Sequence, residues 1–237
     1  MGWIKRDREH IGQAESRILY MKIIFATGNK GKLREAAEIL GEGFTLMCPA
    51  DLGITEDIEE TGETLEENSA IKADFIHDRT GMDCFADDTG LEVDALGGAP
   101  GVHSARYATE GHDFEANIDK LLAELEKHPG ESRTARFRSV VTLIFRGERH
   151  AFEGTLEGVI AFARRGGNGF GYDPVFIPDE FPDNTVAELD DETKNAISHR
   201  GKALRAMAEW LRRADSFATL GMTGEMLGKT TEAGQNE

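Results

Sequence analysis

The sequence has few of the residues that stabilise a small secreted domain or span a bilayer. Only two cysteines, Cys48 and Cys84, occur among 237 residues, and they do not form a CxxC pair. This scarcity excludes a disulfide-stapled domain and favours a reducing compartment, which we expect to be the cytoplasm. No apolar run reaches transmembrane length, and the first twenty residues mix charges throughout. A secretory signal, a membrane span and a membrane partner are therefore not expected.

Positive charge is also scarce. Lysine and arginine number 27 against 44 aspartates and glutamates, which gives a formal net charge of −17. Such a surface disfavours nonspecific binding to nucleic acid, so no nucleic-acid partner is expected. Any phosphate-bearing ligand must therefore meet a local group of cations or a metal ion. The hydrophobic share of 39% is sufficient for one sizeable core.

Both ends of the chain differ from its middle. Met21 directly precedes the first apolar strand, so residues 1–20 are expected to form an N-terminal extension outside the fold. The end of the chain has no sustained periodicity and is rich in glycine and threonine, so residues 215–237 are expected to form a flexible tail. The predicted working domain is residues 21–214.

The segment "IIFATGNKGKLREAAEIL", residues 23–40, reads as a strand, a turn and an amphipathic helix. Glycines in the turn allow close backbone approach, the helix N-terminus favours an anion, and Lys32 adds a full positive charge. The segment therefore predicts a phosphate cradle. It matches neither the GxxxxGK[ST] nor the GxGxxG pattern, so a plain tight turn is the alternative.

Acidic residues are concentrated in two places. Residues 51–67 carry eight acids and no base, and a capping box there predicts a helix from Thr64 to Arg79. Glu59 and Glu60 in this stretch, like Asp87 and Asp88 in "MDCFADD", are hard oxygen donors of the kind that Mg²⁺ prefers. The alternative for the acidic stretch is a solvated surface. Asp87 and Asp88 are predicted to end a strand, where their repulsion favours a bound cation.

The remaining elements complete an α/β pattern. Phe114 to Leu125 predicts a helix, capped by Asp113, whose apolar stripe packs into the core. "TARFRSVVTLIF" and "HAFEGTLEGVIAFA" predict an antiparallel hairpin, so the sheet should be mixed. A last helix should begin after Ser198.

Two features of the C-terminal half point to a ligand. His199 and Arg200 would lie in the first turn of the last helix, where its dipole disfavours cations, so an anion or a carbonyl-bearing ligand is expected there. Phe170 lies between glycines in "GGNGFGYDP". Its ring could stack on a purine or anchor the loop in the core.

Five ordered segments resemble the inosine triphosphate pyrophosphatase family, also called Ham1-like or RdgB-like. They are "FATGNKGKLREA", "EETGETLEENSAIKA", "FADDTGLEVDALGGAPGVHSARYA", "GGNGFGYDPVFIP" and "ETKNAISHRGKAL", and the likeness spans about Lys22 to Leu211. It implies an α/β fold of the Ham1/Maf type, with a long mixed central sheet and two lobes around an active-site cleft. It also implies a homodimer and Mg²⁺-dependent hydrolysis of deaminated purine nucleoside triphosphates (ITP, dITP, XTP). The products would be the monophosphate and pyrophosphate, which cleanses the nucleotide pool.

The resemblance also implies roles for individual residues. Asp88 would be the base for the attacking water and, with Glu60, a metal ligand, while Lys32 and Lys72 would hold phosphates during catalysis. The substrate-binding residues would be Thr27, Gly28, Asn29, Lys30, Gly31, Lys32, Lys72, Thr89, Phe170, Gly171, Tyr172, Asp173, Lys194, His199 and Arg200. Of these, Phe170 would stack on the base, and Lys194, His199 and Arg200 would line its pocket.

Three other interpretations are open. A regulatory module could bind the nucleotide without turnover, although such a binder needs no water-activating acid such as Asp88. A Maf-type pyrophosphatase would act on modified pyrimidine or methylated nucleotides, but the Phe170 loop and the Ser198–Arg200 block favour a purine. A structural protein would leave the clustered acids and cations unexplained.

Overall fold

A computed structural model of the protein describes residues 21–111 and 113–219. The predicted extension at 1–20, and the predicted tail from residue 220 onward, lie outside these ranges. The strands are β1 (Met21–Phe25), β2 (Phe44–Met47), β3 (Cys84–Val93), β4 (Pro100–Gly101), β5 (Thr134–Phe145), β6 (Glu148–Ile160) and β7 (Phe176–Pro178). The helices are α1 (Lys30–Leu40), α2 (Leu65–Thr80), α3 (Phe114–Glu126), α4 (Asp191–Ile197) and α5 (His199–Thr219).

The strands form one mixed sheet in the order β2-β1-β3-β5-β6-β7, with β4 paired to β3. β1 runs parallel to β2 and β3, because α1 and α2 provide the helical crossovers that parallel neighbours need. The other pairs are antiparallel. β5 and β6 are joined by Arg146 and Gly147, whose φ values of 53° and 81° suit a two-residue hairpin turn. The predicted α/β class, mixed sheet and hairpin are confirmed.

Helices cover both faces of the sheet. α1 and α5 pack on one face against Phe25, Phe85 and Leu143. α3 packs on a separate core that includes Leu91 and Phe137. α2 covers the opposite face. None of the helices in the described ranges is both long and apolar enough to cross a bilayer.

Asp87 and Asp88 lie inside a strand, contrary to the prediction that they end one. "MDCFADD" and "LEVDAL" belong largely to the single strand β3, because β5 pairs with it along its whole length. On the other side, β1 pairs with β3 as far as Phe85, and β4 pairs from Leu91. Residues 86–90 therefore form an open edge of β3, with no strand pairing on that side within the described part of the chain.

Local capping signals were predicted correctly. Thr64 and Glu67 form the capping box of α2, and Asp113 caps α3. The Ser198 hydroxyl accepts the Gly201 N–H at the start of α5. α5 continues to Thr219, five residues past the predicted domain boundary. Phe114 differs from its prediction: at the first position of α3 it is 43% exposed rather than packed in the core.

We expect Gly154→Ala to destabilise the fold. A Cβ at Gly154 would lie 2.1 Å from the His199 carbonyl oxygen and 2.7 Å from the Ala203 nitrogen, so α5 would have to move off β6. The free energy of unfolding should fall by about 1–3 kcal/mol, as measured by urea denaturation. The control is Gly167→Ala, whose Cβ meets no atom within 4 Å. Wild-type stability in Gly154→Ala would contradict this packing.

Candidate active site

The turn after β1 is shaped by its own side chains. The Asn29 side-chain oxygen accepts the N–H groups of Gly31 at 2.8 Å and Lys32 at 3.2 Å, and the Thr27 hydroxyl accepts the Asn29 N–H. The turn therefore holds its form without a ligand, and Asn29 occupies two of the helix N–H groups expected to face a phosphate. Gly28 and Lys30 are exposed beside them. The turn offers a phosphate chiefly positive charge, from Lys30 and Lys32.

Asp87 is the centre of a buried ionic network. Its side chain is 1% exposed and accepts hydrogen bonds from Lys32 Nζ at 2.9 Å and Arg200 Nε at 2.8 Å. Arg200 also donates through Nη1 to Glu35 at 2.6 Å. Burial opposes ionisation of Asp87, but the two cations hold its pKa well below the usual range. Asp87 thus joins β3 to α1 and α5.

Asp88 lies in a second ionic cluster with Lys72 and Glu60. Lys72 Nζ is 2.8 Å from Asp88 Oδ1 and 2.9 Å from Glu60 Oε1. Burial favours the neutral form of Lys72, but the surrounding carboxylates outweigh burial and raise its pKa. Burial is also the main reason why the pKa of Asp88 is raised. A carboxylate with a raised pKa accepts a proton more readily near neutral pH.

The two aspartates face opposite sides of the sheet, because successive side chains in a strand alternate. Each therefore meets the protein's own cations: Asp87 meets Lys32 and Arg200, and Asp88 meets Lys72. The repulsion between the two aspartates is thus relieved by the protein's own cations, and it is not by itself an argument for a bound metal ion.

Charges of the protein itself also balance one another at the start of α5. The anions expected beside Arg200 are Asp87 and Glu35 of the protein itself. An unbalanced charge in the sequence therefore did not, by itself, indicate a ligand.

Two residues that support the site were not predicted. Glu35 lies three positions after Lys32 on α1, a spacing that puts both on one helix face and could have revealed it. Asn68 is buried and accepts the Gly62 N–H at 2.8 Å, which ties the acidic segment to α2 close to Glu60. Asn68 also lies one helical turn before Lys72.

The donor set suits a magnesium ion in part. Glu60 and Asp88 converge on one point, now taken by the Lys72 ammonium, and carboxylate oxygens are preferred ligands of Mg²⁺. Glu59, by contrast, is exposed. Among residues 21–111 and 113–219, no group of three or more His, Cys, Asp or Glu side chains is arranged to hold a metal. A magnesium ion held by Glu60 and Asp88 would therefore need phosphate oxygens and waters as further ligands, which is its usual behaviour.

The Phe170 loop presents an aromatic ring to solvent. Phe170 is 55% exposed, and Lys194 Nζ lies 4.9 Å from its ring centroid. Asp173 accepts both the Phe170 N–H at 2.9 Å and the Lys194 ammonium at 2.6 Å. Tyr172 is the loop's anchor, because its buried hydroxyl donates to the Ser104 carbonyl. The interpretation in which Phe170 anchors the loop in the core is therefore wrong.

Other predicted site residues lie near these groups. His199 stacks on Phe137 at 5.0 Å, and burial lowers its pKa well below the usual range, so the ring is neutral. Thr89 follows Asp88 and donates to the Ser139 hydroxyl at 3.0 Å. Gly171 has a φ of 64°, a value that favours glycine. Contact of these residues with a substrate stays a prediction.

Comparison with known proteins gives consistent matches. The Ham1 family model matches residues 23–210. A dITP/XTP pyrophosphatase of Christiangramia forsetii is 48% identical over 191 residues, which cover 81% of this chain and 99% of that protein. The enzyme of the same name from Porphyromonas gingivalis is 50% identical over 190 residues, covering 80% of this chain and 97% of that protein.

Solved structures match as well. The Ham1 protein of Staphylococcus aureus superposes with a TM-score of 0.76 at 38% identity, and the match covers 82% of this chain and 100% of that one. A nucleoside-triphosphatase / dITP/XTP pyrophosphatase from Mycobacterium abscessus gives a TM-score of 0.68 at 45% identity, covering 79% of this chain and 98% of that one.

We expect Asp87→Asn to destabilise the protein strongly. The change leaves the buried Arg200 and the partly exposed Lys32 without their shared carboxylate, which should cost about 3–5 kcal/mol of unfolding free energy. Chemical denaturation measures this loss. Asp74→Asn is the matched control, because Asp74 pairs with Arg149 at the exposed surface and should change stability by about 1 kcal/mol or less. Equal effects of the two substitutions would contradict the structural role of Asp87.

Proposed function

Because the chain belongs to the Ham1 family, we propose that it hydrolyses deaminated purine nucleoside triphosphates such as ITP, dITP and XTP to the monophosphate and pyrophosphate. The chain is a nucleoside triphosphate pyrophosphohydrolase, like the relatives that it matches over most of its length. The observation that carries the finer proposal is the convergence of Glu60 and Asp88 on Lys72 at the open edge of β3. This edge adjoins the turn that carries Lys30 and Lys32.

Asp88 is the proposed base. In the substrate complex, the triphosphate would take over the Lys72 ammonium, which would free the Asp88 carboxylate for a water molecule. Asp88 would accept a proton from this water as the water attacks the α-phosphorus. In the free protein, burial disfavours the carboxylate form of Asp88 and raises its pKa. No covalent intermediate is required.

Lysines on both sides of the open edge would hold the leaving group. Lys72 lies on the α2 face, and Lys32 lies on the α1 face. Their ammonium groups would stabilise the negative charge that develops on pyrophosphate as the α–β bridge breaks. A magnesium ion bound by Glu60 and Asp88 would add positive charge that polarises the phosphate oxygens. The rest of the catalytic effect would come from positioning.

The base would be bound by the C-terminal half of the chain. Phe170 offers an exposed ring for stacking. Arg200 is always a donor, so it suits the 6-oxo group of hypoxanthine or xanthine and offers nothing to the 6-amino group of adenine. Asp87 and Glu35 engage Arg200 through two of its five N–H donors. Because the Arg200 side chain is only 5% exposed, the carbonyl oxygen of a base would have to enter this buried site to reach the other donors. The homodimer and the cytoplasmic location stay predictions.

We expect the purified protein with Mg²⁺ to release pyrophosphate, and no orthophosphate, from ITP and XTP. ATP should release little, since its 6-amino group cannot accept from Arg200. Pyrophosphate and orthophosphate are measured by separate colorimetric assays. Orthophosphate as the first product would contradict cleavage between the α- and β-phosphates, whereas ITP binding without turnover would favour a regulatory binder.

We expect Asp88→Asn to lower kcat for ITP by roughly 100-fold or more, because an amide cannot accept the water's proton. The fold should persist, as judged by circular dichroism. Asp57→Asn, which changes an exposed acid in the same acidic segment as Glu60, is the matched control and should keep wild-type kinetics. Unchanged pyrophosphate release in Asp88→Asn would remove Asp88 from the mechanism.

A further inference from the structure

Two of the four large hydrophobic side chains that are exposed in the described ranges lie side by side. These four are Leu52, Phe114, Phe162 and Phe170. Phe114 and Phe170 come from different elements, yet their ring centroids are 6.4 Å apart at an angle of 47°. We propose that Phe114 is a positioning residue, whose ring holds Phe170 in the orientation in which a purine base stacks on it. The inference rests on the proposed function, in which Phe170 binds the base.

The contact has the geometry of a real aromatic pair. Tilted rings attract when their centroids lie about 4.5–7 Å apart. Lys194 is a second neighbour of Phe170, with Nζ 4.9 Å from the ring centroid. Phe114 and Lys194 thus both contact a side chain that lies on a loop and would otherwise rotate in solvent.

The start of α3 and the Phe170 loop are also joined by polar contacts. Arg164, on the segment that leads into the loop, donates to the Glu115 carbonyl at 3.0 Å and to Asp119 at 2.8 Å. These contacts fix the segment against the first two turns of α3, where Phe114 is the first residue. Phe114 therefore projects from an element to which the loop is already attached.

A further connection between the loop and α3 runs through Ser104 and Ala105. Tyr172 donates to the Ser104 carbonyl, and Asn117 of α3 donates to the Ala105 carbonyl at 3.0 Å. The loop and α3 thus share one short segment of backbone. Several hydrogen bonds thus join the loop and α3 in addition to the Phe114–Phe170 contact.

Helix formation does not explain Phe114. Asp113 already caps α3 by accepting the Ala116 N–H at 3.0 Å. The α3 stripe that does enter the core is formed by Ile118, Leu121 and Leu125. Phe114 neither caps α3 nor fills the core, and its ring contacts Phe170. A role in the base-binding site explains this position.

The proposal predicts that loss of the Phe114 ring weakens binding of the purine base and leaves binding of the phosphates unchanged. Phe114→Ala should raise the KM for ITP and the Kd for inosine monophosphate by about three- to tenfold, the range of an aromatic pair. The kcat should stay near wild type, because the reacting phosphate lies at Asp88 and Lys72. Inorganic tripolyphosphate, which has no base, should inhibit wild type and variant with the same Ki. Phe114→Tyr, which keeps an aromatic ring, should have the wild-type KM for ITP and the wild-type Kd for inosine monophosphate.

A double-mutant cycle with Phe170→Ala separates positioning from direct contact. If Phe114 acts through Phe170, Phe114→Ala should have no further effect in the Phe170→Ala background. Additive effects would overturn the positioning role, and so would an unchanged KM in Phe114→Ala. Phe162→Ala is the control, because this exposed ring lies against Arg133 rather than Phe170.

The binding measurements also distinguish this inference from the proposed function. If the wild-type protein does not bind inosine monophosphate, the proposed function fails. If the wild type binds it and Phe114→Ala binds it equally well, only this inference fails.

Discussion

The alternation of side chains along β3 is the constraint on which the rest of the site depends. Two adjacent aspartates in one strand must face opposite sides of the sheet. Asp87 therefore lies with Lys32, Glu35 and Arg200 on the α1 and α5 face, whereas Asp88 lies with Lys72 on the α2 face. One aspartate holds helices in place, and the other is available for chemistry.

The site is built where strand pairing is interrupted. β1 pairs with β3 only before the aspartates, β4 pairs with it only after them, and β5 pairs along the whole of its other side. A triphosphate at this open edge could reach cations on both faces of the sheet. In a chain with a net charge of −17, three cations are thus gathered near the edge, where carboxylates of the protein hold them.

Local signals in the sequence predicted local structure well. The caps at Thr64 and Asp113, the hairpin and the helix after Ser198 all depend on residues a few positions apart. Contacts between distant segments were not predictable in this way. Asp87 and Arg200 are 113 positions apart in the sequence. Their pairing, which balances both charges, could not be predicted from local spacing, and the sequence analysis inferred a ligand at each residue instead. Phe114 fitted the apolar period of α3, yet it lies at the helix start, beyond the reach of the core.

The most direct test of the catalytic account is the site of water attack. Hydrolysis of ITP in H₂¹⁸O should place one ¹⁸O atom in inosine monophosphate and none in pyrophosphate, as measured by mass spectrometry of the separated products. This result is expected if the water activated by Asp88 attacks the α-phosphorus while the lysines hold pyrophosphate as the leaving group. Label in pyrophosphate would mean attack at the β-phosphorus, and it would contradict the placement of the base and the leaving group at the open edge of β3.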